Sequence, residues 1–363
     1  MPQNVSTLPP SAHHLSILVI ATAITALAPH GVQAAPNAPR LCVFDLLGTS
    51  GDMYNATKDY VLAMQAATGV TLSARAYTDE RVAAEDFRTG QCQALLATSF
   101  RTRAYSPITA TTDAFGATLI LRQGKVDMAA GHQVMRLASQ TFNTPGAAAL
   151  VVQGKYEMAG LIDVGAVYSL VNDRRINSPE ALAGKRMLAF DHDKAQAYLI
   201  QKAGAQAVSA DVTNFATKFN NGMADMAAAP AVAFKPLELH KGVGSKGAIS
   251  RFPFMILSYQ LIIERASLPA GFGDASRRYW LAHFDDALVV VRKAEADIPA
   301  ALWMELPPEQ APRYAEYMRE SRIELAEQGL YDKQGLKLLK RIRCKVEPSD
   351  AECATSSEIN WKN

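Results

Sequence analysis

The strongest constraint on this chain is that one order of elements is written into it twice. Residues 41–46, LCVFDL, form a short apolar run of strand type that enters the turn-rich GTSGD at 48–52. Tyr60, Met64 and Ala67 follow at helical spacing, with Gly69 placed to end that helix. Residues 71–77 give a second strand, Asp79 opens a helix carrying Val82, Ala83 and Phe87, Gly90 stops it, and residues 94–98 form a third strand. The same order returns from Arg186: the strand RMLAF, a helix through Ala203, Gly204, a short strand at 206–208, a helix opened by Asp211 with Val212, Phe215 and Phe219, then Gly222 and a strand at 226–229. No residue-level repeat accompanies this; the recurrence is architectural.

Strands joined by helical crossovers run parallel and hide both faces. The expected class is therefore α/β, with parallel-rich sheets flanked by helices in two lobes. Ligands of open α/β sheets bind beyond the carboxyl ends of the strands, and two lobes can turn those ends toward one cleft. The loops expected there are 47–52, 99–105, 191–194 and 230–234. Residues 148–152 and 161–171 read as strands that pass between the lobes, and FPFMILSYQLII at 252–263 as an extended return. Helices follow in WLAHFDDALVVVRKA and, after Pro307 and Pro308, in APRYAEYMRESRIELAEQGL. In the latter Tyr314, Met318 and Leu325 share one face, which predicts a strut packed across the lobes. The expected division is a leader at 1–34, lobe 1 at 35–165, lobe 2 at 166–255, the return strand and C-terminal helices at 256–343, and an irregular tail at 344–363.

No charged side chain precedes Arg40, and LSILVIATAITALA at 15–28 leads to VQA at 32–34. This reads as a secretory signal cleaved near Ala34 or Ala35, with His13 and His14 standing where Lys or Arg is usual. The run is shorter than the ~20 residues of a spanning helix, which weighs against a retained anchor. A buried core helix is the other alternative. The expectation is an exported, periplasmic chain. A net charge of +2 gives no footprint for nucleic acid or a membrane surface. Export makes disulfides more natural than metal ligation for Cys42, Cys92, Cys344 and Cys353, none of which stands in a Cys-x-x-Cys pair. Cys344 and Cys353 can close a small loop. Cys42 and Cys92 can meet if their strands are neighbours, with free buried thiols as the alternative.

GTSG at 48–51 opens a helix, so Thr49 and Ser50 can either hold a polar ligand group at the positive helix end or simply cap it. No Gly-Lys-Ser/Thr follows, so it is not a phosphate loop. Asp191, His192 and Asp193 suggest a metal or a base, but adjacent residues at a strand exit point in different directions, and a loop-and-cap role is favoured. No nucleophile–base constellation can be assembled. The reading is a binding protein and not an enzyme, with no cofactor and no metal. Ser99, Arg101, Arg103 and Tyr105 in SFRTRAYSP follow the third strand toward the expected cleft. Arginine there suits a carboxylate or phosphate because its planar fork donates two parallel hydrogen bonds.

DRRINSPEALAGKRMLAF at 173–190 carries a family resemblance. It is similar to a stretch of the solute-binding proteins of tripartite ATP-independent periplasmic (TRAP) transporters: Arg-x-Ile-x-Ser/Thr, then an acidic residue and Leu-x-Gly, then a strand whose arginine clamps the ligand carboxylate. Arg174, Ile176, Asn177, Ser178, Glu180, Leu182 and Gly184 match its first part. AAEDFRTGQCQALLATS resembles the family's helix–Gly–strand passage, and Gly222, Asp225 and Pro230 meet its later Gly-x-x-Asp with a downstream Pro. The similarity spans roughly residues 40–330, through degenerate motifs. A divergent solute-binding branch, some of whose members are named as components of multidrug-efflux systems, is resembled more closely still.

The resemblance implies a two-lobed periplasmic-binding-protein fold, type II-like, with C-terminal helices packed across the lobes. It also implies a small solute, organic acid or polar/aromatic, captured in an interlobe cleft by hinge closure and delivered to membrane transporter subunits. The alternative is a periplasmic accessory of an efflux or envelope system that keeps the fold. Neither reading fixes an oligomeric state. One position departs from the family: counted from Gly184, the clamping arginine should stand at Leu188. Arg186 shares that strand face but lies two residues earlier, roughly 7 Å back. Arg174 is then the best family-derived candidate. Either Arg174 with Arg101 or Arg103 supplies a cationic contact, or a less charged site uses Tyr105, Phe190, Phe252 and Tyr259. The candidate ligand set is Thr49, Ser50, Ser99, Arg101, Arg103, Tyr105, Arg174, Asp191, Phe252 and Tyr259.

Overall fold

The computed structural model describes residues 38–361. The expected leader at 1–34 lies outside the described residues.

Both strand–helix units form. In the first, Arg40–Phe44 (β1), Asp52–Thr68 (α1), Ser73–Tyr77 (β2), Glu80–Arg88 (α2) and Ala94–Thr98 (β3) follow one another. The predicted punctuation acts as punctuation. Asp79 caps α2 by accepting hydrogen bonds from the amides of Arg81 and Val82. Gly69 closes α1 in the left-handed conformation. The helix after 128, Met128–Phe142 (α3), has no counterpart in the sequence reading. Residues 148–152 also differ from expectation: Ala148–Val151 is a helical turn, and only Val152–Gln153 joins the sheet. Three alanines after Pro145–Gly146 favour helix over a strand they cannot pack.

Tyr156–Val171 (β4) is the first long strand. The second unit is Arg186–Phe190 (β5), Lys194–Lys202 (α4), Gln206–Ala210 (β6), Phe215–Asn220 (α5) and Met226–Pro230 (β7), and Ala248–Glu264 (β8) is the long return. Helix α5 starts later than predicted, because the Asp211 carboxylate turns back to the amides of Thr213 and Asn214 instead of capping a continuous helix.

The parallel sets are joined into one mixed sheet in the order β2-β1-β3-β8-β4-β7-β5-β6. β1 pairs parallel with β2 and β3, and β5 with β6 and β7, as the crossovers require. The long strands supply the antiparallel centre: β8 pairs with β3 and β4, and β4 with β7. The expected lobe limits at 165 and 255 therefore fall inside strands that serve both halves. Gly165 sits in β4 with φ +92°, and a Cβ there would lie 2.7 Å from a methyl of Val291, so glycine is needed for both conformation and packing.

The C-terminal helices are Phe272–Ala282 (α6), Phe284–Ala296 (α7), Gln310–Glu327 (α8) and Lys333–Val346 (α9). The predicted run WLAHFDDALVVVRKA thus breaks at His283. Tyr314, Met318 and Leu325 of α8 are buried as predicted, and α8 bridges the halves. Tyr317 donates to the Leu199 carbonyl at 3.0 Å, whereas Arg322 donates to the Phe115 carbonyl at 3.3 Å. Helix α9 carries Cys344 and continues to Val346, so the tail begins later than expected. Cys42 bridges Cys92 across the β1/β3 neighbourhood, and Cys344 bridges Cys353, with Cα separations of 5.9 and 5.6 Å. Among the described residues no helix is long and apolar enough to cross a membrane.

Candidate functional site

Where the carboxyl ends of the two parallel sets face each other, they enclose an apolar cavity of about 110 Å³. This is the order of the ~150 Å³ cavity that admits a benzene-sized molecule. Three of the four predicted loop regions reach it, through Phe100, Asp193, and Pro230 with Val232 and Ala233, whereas the loop at 47–52 does not and only the preceding Leu46 lines the wall. The long strands add Val164, Val167, Phe254, Met255, Leu257 and Tyr259. Aromatic contacts tie the halves together. Phe44 stacks on Tyr259 at 5.9 Å, Phe190 on Phe215 at 5.4 Å, and Phe100 of the first half meets Phe190 of the second at 6.0 Å.

Two carboxylates, Glu80 and Asp193, border this apolar wall. Glu80, at the first turn of α2, is buried, and its Oε1 accepts the Thr98 amide at 2.6 Å. Burial pushes its carboxyl up to about 7, against the pull of the Thr98 hydrogen bonds and Arg101. Arg101 Nε stands 3.9 Å from Glu80 Oε2, too far for a hydrogen bond. Arg103 links the halves: its guanidinium donates to Asp113 at 3.0 Å, lies 3.5 Å from Asp193 and covers the Tyr331 ring at 5.1 Å. Asp193 also caps α4 through the amides of Ala195 and Gln196. Burial raises the Asp113 carboxyl and Arg103 opposes the rise. Burial, then Arg101, holds the His192 imidazole below its ordinary value.

The candidate residues are dispersed around this cavity. Tyr259 lines it, and Arg101 and Arg103 line a depression that adjoins it at Phe100 and Tyr331. The others do not border it. Thr49 and Ser50 are exposed on a capping turn whose amide needs Asp45 meets through Leu47 and Tyr54. A Cβ at Gly51 would collide with that Asp45 carboxylate. Ser99 is buried against the Ser258 carbonyl, and Tyr105 packs on Phe87 and Tyr156. Asp191 is exposed, and Phe252 lies against Tyr314.

The motif 173–190 places no basic side chain in the cavity. Arg174 is exposed and donates to the Ala301 carbonyl, and Arg175 is held by Asp173. Arg186 grips Asp225 with two hydrogen bonds of 3.1 and 2.7 Å, and that contact holds the Asp225 carboxyl down at about 2. Leu188 is fully buried in the core behind β5, among Phe215, Ala229 and Tyr168. Phe190, further along the same strand face, is the residue that reaches the cavity. Glu80, Phe44, Phe100, Met187, Phe254 and Tyr331 were not singled out in the sequence, because each reads as an ordinary helix-start or core residue.

A sequence model of the family described as solute-binding protein AdeT 1/2 matches residues 65–358. The chain belongs to this family. Its match to the probable solute-binding protein AdeT1 of Acinetobacter baumannii is 42% identical over 316 residues, covering 87% of this chain and all of that protein. Among solved structures, this AdeT 1/2 family member resembles a TRAP periplasmic solute-binding protein from Desulfovibrio salexigens with bound orotic acid. The TM-score is 0.67 at 11% identity, covering 85% of this chain and 99% of the other. A second, from Bradyrhizobium, in complex with galacturonate, gives a TM-score of 0.63 at 13% identity, covering 84% and 99%. These likenesses establish the fold.

Proposed function

We propose that this protein is a periplasmic solute-binding protein whose interlobe cavity takes a small, predominantly apolar solute of aromatic size and presents it to a membrane transporter without turning it over. The observation that carries the reading is the wall of the cavity. Both halves contribute rings and branched side chains, while Arg174, Arg175 and Arg186 of the family-like motif are committed elsewhere and Lys185 does not line the cavity. The solved relatives hold orotic acid and galacturonate. Here no arginine stands at Leu188 to receive such a carboxylate, so an apolar body supplies most of the contact. Residues from both halves lining one cavity would couple binding to closure, because contacts made only when the halves meet favour the closed state. Two disulfides fit an oxidising compartment.

The test is native mass spectrometry of the protein from an exporting host, followed by release and identification of whatever it carries. One small apolar molecule per chain is expected, and Ala229→Phe, which fills the cavity, should abolish its retention. A chain that carries nothing, and that no member of a thermal-shift panel of acids, amino acids and aromatics stabilises, would remove the solute reading and direct the search to protein partners.

A further inference from the structure

Glu80 leaves an open valence in the cavity wall. Its Oε1 is taken by the Thr98 amide, whereas among the described residues no hydrogen-bond donor reaches Oε2. Arg101 Nε is 3.9 Å away and is itself without a hydrogen-bond partner. The Tyr259 hydroxyl, on the same wall, likewise makes no hydrogen bond to the described residues and senses the charge of Glu80. The charge of the lining has one sign. Glu80 and Asp193 border the cavity with no lysine or arginine, and Asp193 already caps α4 and faces Arg103. An adjoining hollow that shares Val164 and Val232 with the cavity adds Asp52, Asp59, Asp163 and Asp286, again without lysine or arginine.

Resting on the reading of this cavity as the solute site, we propose that Glu80 anchors a protonated amine on an otherwise apolar solute, so that the cavity selects organic cations over organic acids. A carboxylate oxygen at the wall of an apolar cavity, with no hydrogen-bond donor among the described residues, is a costly group to leave unpaired, and an ammonium supplies the missing charge-assisted hydrogen bond. The faces of Phe44 and Tyr259 add attraction for a cation that neutral or anionic groups do not receive. A solute carboxylate would set two like charges together in an apolar wall. Of the two nearby arginines, both lining the outer depression, Arg103 is committed to Asp113, and Arg101 faces Glu80 at 3.9 Å without a hydrogen bond to it.

Isothermal titration of the exported protein, freed of co-purified solute, with 2-phenylethylamine, 2-phenylethanol and phenylacetate tests this on one skeleton. The amine should bind about tenfold or more tightly than the alcohol, the scale of one charge-assisted hydrogen bond, with phenylacetate weakest. Glu80→Gln keeps an acceptor for the Thr98 amide and should erase the preference for the amine while leaving the alcohol's affinity in place. Phenylacetate binding as tightly as the amine in the wild-type protein, or a preference that survives Glu80→Gln, overturns the role of Glu80 and leaves the cavity reading standing. If none of the three binds and Ala229→Phe retains its co-purified solute, the cavity reading falls, and this inference with it.

Discussion

Two clusters of buried charge in this molecule use the same residue types and end differently. Near the C-terminus, Arg322 and Arg343 share Glu352 and Glu358 through hydrogen bonds of 2.8 to 3.2 Å. Their further N–H groups go to the carbonyls of Phe115 and Ala117. Lys340 is met by Thr355 and Ser357. At the cleft, by contrast, Arg101 Nε, Arg103 Nε, Asp113 Oδ2 and His192 Nε2 are buried without a hydrogen-bond partner among the described residues. A network that satisfies its members holds a tail in place. One that ends in open donors and acceptors beside a cavity can still take a further polar partner.

The two clusters also shift the same residue type in opposite directions. Burial alone would raise the Glu352 carboxyl, but Arg322 and Arg343 overcome it and hold it at about 2. Glu80, whose one arginine stands beyond hydrogen-bond reach at 3.9 Å, is pushed by burial up to about 7.

The largest expected effect tests the saturated cluster. Glu358→Ala leaves two buried guanidinium groups short of a partner and should cost about 3–5 kcal/mol in urea unfolding. A loss below 1 kcal/mol would mean that the tail network is not what the contacts describe. Next comes the pH profile of the unliganded protein. Since the folded Glu80 carboxyl lies above its unfolded value, its contribution is full below about pH 4.5 and is lost as pH rises through about 7. The change amounts to at most about 3 kcal/mol. Glu352 works the other way, stabilising at neutral pH and losing that contribution as pH falls from about 4.5 toward 2. Glu80→Gln should flatten the first slope and spare the second; a slope unchanged in the variant would assign it to another group. Smaller again, Cys344→Ser with Cys353→Ser releases a short loop and should cost about 2–3 kcal/mol, read by thermal unfolding with and without reductant. Smallest is Arg174→Ala, on the exposed side of the motif, which should change stability by less than about 0.5 kcal/mol and leave solute affinity as it was. A weakened solute would return Arg174 to the site.

The resemblance carried in 173–190 led to the family, yet its arginine pattern did not lead to the site. Gly184 holds a left-handed turn and Ile176 a core position, whereas Arg186 found Asp225 at the start of a neighbouring strand. The pairing of Cys42 with Cys92 was one of two readings open in the sequence, free thiols being the other, while the α8 strut was legible because Tyr314, Met318 and Leu325 recur at helical spacing. Helix α3 and the amphipathic α9 were missed. Both lie outside the repeated units, and the second falls in the C-terminal helical region expected at 256–343, where no separate helix was expected after Leu330.

By itself, then, the sequence determined the two strand–helix units and the strut, since strand alternation, helical spacing and glycine stops are set by neighbours along the chain. Only the tertiary structure decided that β4 and β8 fuse the two sets into one sheet, that Leu188 faces the core behind β5 while Phe190 reaches the cavity, and that Glu80 enters an apolar wall. Those outcomes depend on which surfaces meet across hundreds of residues, and a helix-start glutamate or a strand phenylalanine looks the same in sequence whether water, core or a solute lies on its other side.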